Sequence, residues 1–201
     1  DSAIELNTLP FRTGKMKLLR EYIRRTISES YFPLEGGSKM RIHHSREGTR
    51  QDEVPQISGY TQKVGNKPAG LWYECQDGSS TNWKEFCATG LTGGANRYDS
   101  SYNVILNDYE ILFIQDEHHF EKFYKMYSTN PPYDPDGSKG FDKMIDWPKV
   151  SKHYAGIEIC PYLSSKRMAD DGDWYYPWDV ASGCVWDTSG IKELTKSGNC
   201  K

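Results

Sequence analysis

Two short segments carry side chains suited to ligand chemistry, Arg41-Ile42-His43-His44-Ser45 and Gly70-Leu71-Trp72-Tyr73. Each reads as a strand that delivers a polar or aromatic side chain, and two such strands can build a nucleotide pocket. His43 and His44 alternate across their strand, so only one of them can face a given cleft. Trp72 and Tyr73 divide in the same way. A third segment, Gly156-Ile157-Glu158-Ile159, sets a carboxylate between two isoleucines. Burying the isoleucines on one face directs Glu158 to the other. Further on, Asp179 and Ser182 offer a second carboxylate and a hydroxyl, next to the aromatic run Trp174-Tyr175-Tyr176-Pro177-Trp178. That run suits a platform for stacked bases or sugars, or a loop folded back on the core. Plain structural roles exist for all of these: core packing for Trp72, a hydrogen-bonded core imidazole for His43, an edge-strand carboxylate for Glu158, a cap for Asp179 and tight packing at Ser182-Gly183.

Other chemistries lack their spacing. His118-His119 is a neighbouring pair, which cannot turn both rings to one metal as an H-E-x-x-H helix does. There is no glycine-rich dinucleotide turn and no phosphate loop ending in Gly-Lys-Ser/Thr. Ser182-Gly183-Cys184 is not a nucleophile elbow. A nucleophilic pair of Cys184 or Cys160 with His153 stays open. The five cysteines (Cys75, Cys87, Cys160, Cys184, Cys200) are odd in number, include no C-x-x-C, and fall in segments that read as strand or helix. They are therefore expected to be reduced thiols in a cytoplasmic compartment, with no metal centre.

The elements that would hold these residues follow from periodicity and punctuation. Residues 14–29 place Leu18, Leu19, Tyr22, Ile23 and Ile27 on one helical face, with Lys15, Lys17, Arg20, Arg24 and Arg25 opposite. Strands are predicted at about 39–45 and 69–74, with a polar loop between them, and a short helix at 82–88. A glycine-rich loop covers 92–95. Two short strands joined by Asn107-Asp108 span 102–114. A helix runs over 116–127, with Phe120, Phe123, Tyr124 and Tyr127 on one face and an acidic first turn. After a Pro/Gly/Asp loop at 130–140, Asp146 caps a helix with Pro148 in its first turn, reaching Tyr154. Strands at 156–160 and 180–186 flank a loop at 161–173, and 190–196 reads as helical. Short strands and modest helices without regular alternation make an α+β domain rather than a doubly wound sheet.

Composition sets wider bounds. With 201 residues, 36% apolar and 26% charged, the chain is one domain in size, and no stretch approaches the apolar length of a membrane span. Fourteen Tyr and six Trp against seven Phe mean that many rings carry a polar tip in need of a partner. A net charge of −3 gives no global attraction to phosphate backbones, so a nucleic-acid partner would need a local patch.

The segment Arg41 to Ser45 resembles the strand of ADP-ribosyltransferases that runs apolar, apolar, His, Gly, Ser/Thr, and Gly70 to Tyr73 resembles their Gly-Ile-Tyr-Phe strand. His153-Tyr154-Ala155-Gly156-Ile157 looks like the Tyr-Asp-Gly-Ile segment that precedes the family's catalytic strand, and Val185-Trp186-Asp187 looks like the end of that strand. The resemblance spans roughly 39–192 as an order of elements. It implies a single domain at 38–201, with a small mixed or split β-sheet flanked by helices, preceded by the amphipathic helix and linker at 1–37. It also implies cleavage of NAD and transfer of ADP-ribose to a protein or nucleic-acid acceptor, as in toxin-like effectors, by a monomer. His43 and Ser45 would bind the adenosine ribose, and Gly70, Trp72 and Tyr73 would form the nicotinamide wall. The family's catalytic glutamate falls at Ser182, which leaves Ser182 as a binder and Glu158 or Asp179 as the acid. The alternative is a non-catalytic nucleotide or nucleic-acid binding module on the same fold, whose chemistry was lost with that glutamate. If the N-terminal helix docks the acceptor, changing Arg20, Arg24 and Arg25 to Glu is expected to weaken modification and its salt dependence while slow NAD hydrolysis persists. Parallel assays of transfer and hydrolysis check this, and equal loss of both would make the helix structural.

Overall fold

The computed structural model describes residues 32–33, 36–37, 39–46, 57, 59–78, 82–88, 98–131 and 143–199. The predicted helix at 14–29, the loop at 92–95 and most of the loop at 130–140 lie outside the described residues. The fold is mixed α+β, as expected. Its strands are β1 (Met40–Arg46), β2 (Leu71–Gln76), β3 (Tyr98–Leu106), β4 (Ile111–Ile114), β5 (Ser128–Thr129), β6 (Met144–Ile145), β7 (Gly156–Ile159), β8 (Ser182–Val185) and β9 (Ile191–Asn199). Its helices are α1 (Trp83–Ala88), α2 (Glu117–Tyr127) and α3 (Trp147–Val150). Seven strands form one open sheet in the order β4-β7-β8-β2-β1-β3-β9, and β5 with β6 forms a separate pair. Only β4 and β7 run parallel within the large sheet; every other neighbouring pair is antiparallel.

The parallel pair requires a crossover, and its helices create the main core. Asp116 accepts from the backbone N–H of His119 and starts α2, which buries Phe120, Phe123 and Tyr127. Asp146 accepts from Lys149 N–H and starts α3, which is one turn long and does not continue to Tyr154. On this front face, Leu112, Ile114, Ile157, Ile159 and Cys184 of the sheet pack against Phe120, Phe123, Trp147, Trp174, Tyr175 and Trp178. Trp174-to-Trp178 is therefore a loop folded into the core, with only Tyr176 left exposed among its rings. The indoles also hold the approach to β2: Trp147 Nε1 donates to Gly65 O at 2.9 Å and Trp178 Nε1 to Asn66 O at 3.3 Å.

The two strands expected within 102–114 are present as β3 and β4, joined through Asn107-Asp108, but they do not pair with each other: β3 lies beside β1 and β9 while β4 is the far edge of the sheet. Two expectations are corrected. The segment at 190–196 is strand β9 rather than helix. Leu106 pairs with Ile191 and Ile105 with Glu193, so a bulge at Lys192 returns both Ile191 and Leu194 to one strand face. A bulged strand thus imitates the i, i+3 spacing of a helix. Finally, Cys75 and Cys160 are not free thiols but a disulfide, with Cα atoms 6.3 Å apart. Cys75 is the penultimate residue of β2 and Cys160 directly follows β7, the two strands that flank β8, and the sequence separates the cysteines by 85 positions.

Closing a loop of that size constrains the unfolded chain by about 4 to 5 kcal/mol in the chain-entropy account. Reduction is expected to lower the urea midpoint by a corresponding amount while the transition stays cooperative. Urea titration with and without a dithiol measures it, and an unchanged midpoint would mean that the bridge contributes no stability.

Candidate functional site

Alternation along the strands divides the predicted site residues between the two faces of the sheet. On the back face stand Arg41, His43 and Ser45 of β1, Tyr73 and Cys75 of β2, and Glu158 of β7. On the front face stand His44, Trp72, Glu74 and Ser182. Of the three segments singled out in the sequence, those in β1 and β2 are neighbours, while the third, in β7, is separated from β2 by β8, the strand that carries Ser182. Their side chains do not converge as the resemblance implied, because His43 and Trp72 point to opposite faces.

The back-face group is buried apart from His43, which is half-buried. Glu158 is 2% exposed and takes a two-pronged ion pair from Arg41, through Nε to Oε2 and Nη2 to Oε1, the latter at 3.0 Å. Tyr73 Oη donates to Oε2 at 3.1 Å. Arg41 and Glu158 sit three strands apart, a gap of about 14 Å at ordinary strand spacing. The gap is bridged over Gly183, which pairs with both Tyr73 and Glu158. A Cβ there would strike the Tyr73 ring, and a Cβ at Gly36 would strike the Arg41 guanidinium and the Phe113 ring. Burial opposes the charge on Arg41, yet the bond and attraction of Glu158 outweigh it and hold the guanidinium pKa up. Burial, reinforced by the Glu158 charge, pushes the Tyr73 phenol well up. His43 Nδ1 meets the carbonyl of Trp72 at 2.6 Å, just past the last β1–β2 residue pair, so Nδ1 carries the donating proton. Burial lowers the His43 pKa despite that bond, leaving the ring neutral at pH 7. Ser45 is buried on the same face.

The front-face group lies where the helical layer ends. Trp72 is half-buried, edge-on to Trp178 at 4.8 Å between centroids, with Lys67 Nζ 5.1 Å above its ring. Gly70 admits the chain to β2 so closely that a Cβ would meet Val185 O and Cys184 Sγ. Crowding by protein atoms lowers the Lys67 pKa although the residue remains exposed, and Asp179 attracts its charge in the other direction. Asp179 also accepts from Arg167 Nη2 at 3.0 Å. Asp179 thus belongs to the Trp72 side of the molecule and Glu158 does not. Glu74, directly opposite Ser182, accepts from Trp83 N–H at 2.7 Å, with His44 Nε2 3.3 Å away. Burial works against its charge, but the His44 and Trp83 bonds more than offset this and hold its pKa below the usual carboxylate range. Ser182 Oγ donates to Val180 O at 3.0 Å.

Sequence reasoning missed Glu74, Lys67, Arg167 and the role of Arg41. Glu74 was legible, since it lies two residues from Trp72 and so on the same strand face; Arg167, in a loop of 3-10 turns, left no such signal. Among the described residues, no helix is long and apolar enough to cross a membrane. No family model matches the chain, and no curated protein or solved structure does so.

Removing one partner of a buried pair leaves an unmatched charge, which costs about 3 to 5 kcal/mol. Arg41→Met alone is expected to lose that much, whereas Arg41→Met with Glu158→Leu recovers most of it. Urea denaturation of both variants decides; equal losses would show that the pair is not the source of the penalty.

Proposed function

We propose that the chain is an ADP-ribosyltransferase-like protein that takes NAD on the front face of its sheet. The observation that supports this reading best is the adjacency of β1, β2 and β8, with Trp72, Glu74, His44 and Ser182 on one face. Trp72 would stack on the nicotinamide, and Lys67 and Arg167 would offset the diphosphate charge. Cleavage of the nicotinamide–ribose bond passes through an oxocarbenium-like state, which a fixed carboxylate stabilises. Glu74, charged at neutral pH and facing Ser182 across the strand pair, suits that role, with Asp179 as the other carboxylate on this side. Glu158 suits it less, because its charge is already matched by Arg41 and Tyr73.

A second reading rests on Ser182 itself, which carries a hydroxyl where the resemblance calls for an acid. On that reading the same face binds a nucleotide and does no chemistry.

Labelled NAD incubated with the protein and a cell lysate, followed by mass spectrometry, separates the two. Transfer is expected for the wild type, with Glu74→Gln lowering the rate about a hundredfold or more at nearly unchanged binding. Asp179→Asn is expected to do less. NAD at about 100 times its dissociation constant should add roughly 2.7 kcal/mol of apparent stability, and Trp72→Ala should remove that shift. A thermal shift without turnover favours the binding module, and a flat profile at millimolar NAD rejects both.

A further inference from the structure

The back face holds a second constellation that the nucleotide reading does not use. Cys75, Cys160 and Glu158 are all buried, and their ligand atoms lie within 4.8 Å of one another. They are the one such trio of His, Cys, Asp or Glu found among the described residues. A carboxylate offers about four lone-pair sites, and Arg41 and Tyr73 use three of them, two on Oε2 and one on Oε1. Oε1 keeps one free. Hydrogen bonds of this kind are what orients and tunes a ligating carboxylate from behind. Charge also balances: two thiolates and a carboxylate carry −3, and a divalent cation with the Arg41 guanidinium carries +3. Lys39 Nζ donates to the Cys160 carbonyl at 2.8 Å and fixes the backbone on which this thiol is carried.

We propose that, when the Cys75–Cys160 bond is reduced, Cys75, Cys160 and Glu158 form a binding site for a thiophilic divalent cation of the zinc class. Thiolates select such an ion over magnesium or calcium, and three protein ligands leave a fourth tetrahedral position for water. A dithiol reductant breaks the S–S bond with two electrons and two protons and closes to its own disulfide. Cation binding then releases the two thiol protons. The disulfide and the metal-bound state exclude each other because they use the same sulfur atoms.

Cobalt(II) and zinc(II) are the probes, added to the full chain with the dithiol removed under anaerobic conditions. The reduced protein is expected to take up one cobalt per chain with a thiolate-to-metal charge-transfer band, bleached by zinc, and the oxidised protein none. Changing Cys87, Cys184 and Cys200 to Ser should leave both signals intact. Cys75→Ser should remove most of the band, and Glu158→Gln should keep the band while weakening affinity about tenfold to a hundredfold. If the reduced wild type binds no cobalt, if the oxidised chain binds as well, or if the triple Ser variant loses the band, the assignment is overturned. Circular dichroism accompanies every variant. Should Cys75→Ser unfold, the triple variant still decides, since it keeps the whole trio.

Discussion

A carboxylate without water must be matched by charge and hydrogen bonds, and Glu158 meets that requirement by gathering strands from both ends of the chain. Arg41 lies 117 residues away in sequence and three strands away in space, with Tyr73 reaching in between. Much of the local sequence follows from this. Gly183 has no side chain because the Tyr73 ring crosses above it, and Gly36 has none because the guanidinium and Phe113 lie beneath it. A smaller or apolar residue at any one of Arg41, Tyr73 and Glu158 would leave the others short of a partner. The register of β1, β2, β8 and β7 is therefore specified by polar satisfaction as well as by apolar burial.

That pinning divides the labour between the faces. The front core of Phe120, Phe123, Trp147, Trp174 and Trp178 covers β4, β7 and β8, and thins out at Trp72. Beyond it, Ile105 and Met40 remain exposed. The border between covered and uncovered sheet carries the half-buried Trp72, the Lys67–Asp179–Arg167 charges and the Glu74–His44 pair. Such a border can offer stacking surface and fixed charge together without opening the core. The back face is closed over its polar group and suits a buried, slowly exchanging ligand better than a substrate.

The sequence made parts of this legible and hid others for definite reasons. Asp146 announces its helix because a cap acts within three residues, and its bond is present; the acidic start at 116 marks the other helix, where Asp116 is the cap rather than part of the first turn. Glu158 does face away from Ile157 and Ile159, as alternation requires. What alternation cannot say is which face is closed, because that depends on Arg41 and Tyr73 arriving from elsewhere in the chain. His43 and His44 were separable for the same reason, but their partners, the Trp72 carbonyl and the Glu74 carboxylate, are set by the neighbouring strand. Strand β9 was hidden by a bulge whose spacing matches a helix, and the Cys75–Cys160 bridge by a separation that no local pattern reports.

The sheet order also fixes when the protein can become whole during synthesis. Strands β2, β1 and β3 can pair as they emerge, and β4 with β7 can form its own unit, but among the described residues only β8 joins the two groups by strand pairing. Until residues 182–185 leave the ribosome, Glu158 and Arg41 belong to separate fragments, each with an unpaired strand edge open to other chains. The nascent chain is therefore most exposed to chaperones and to misassembly in the interval between β7 and β8, and the four residues Ser182–Val185 end it.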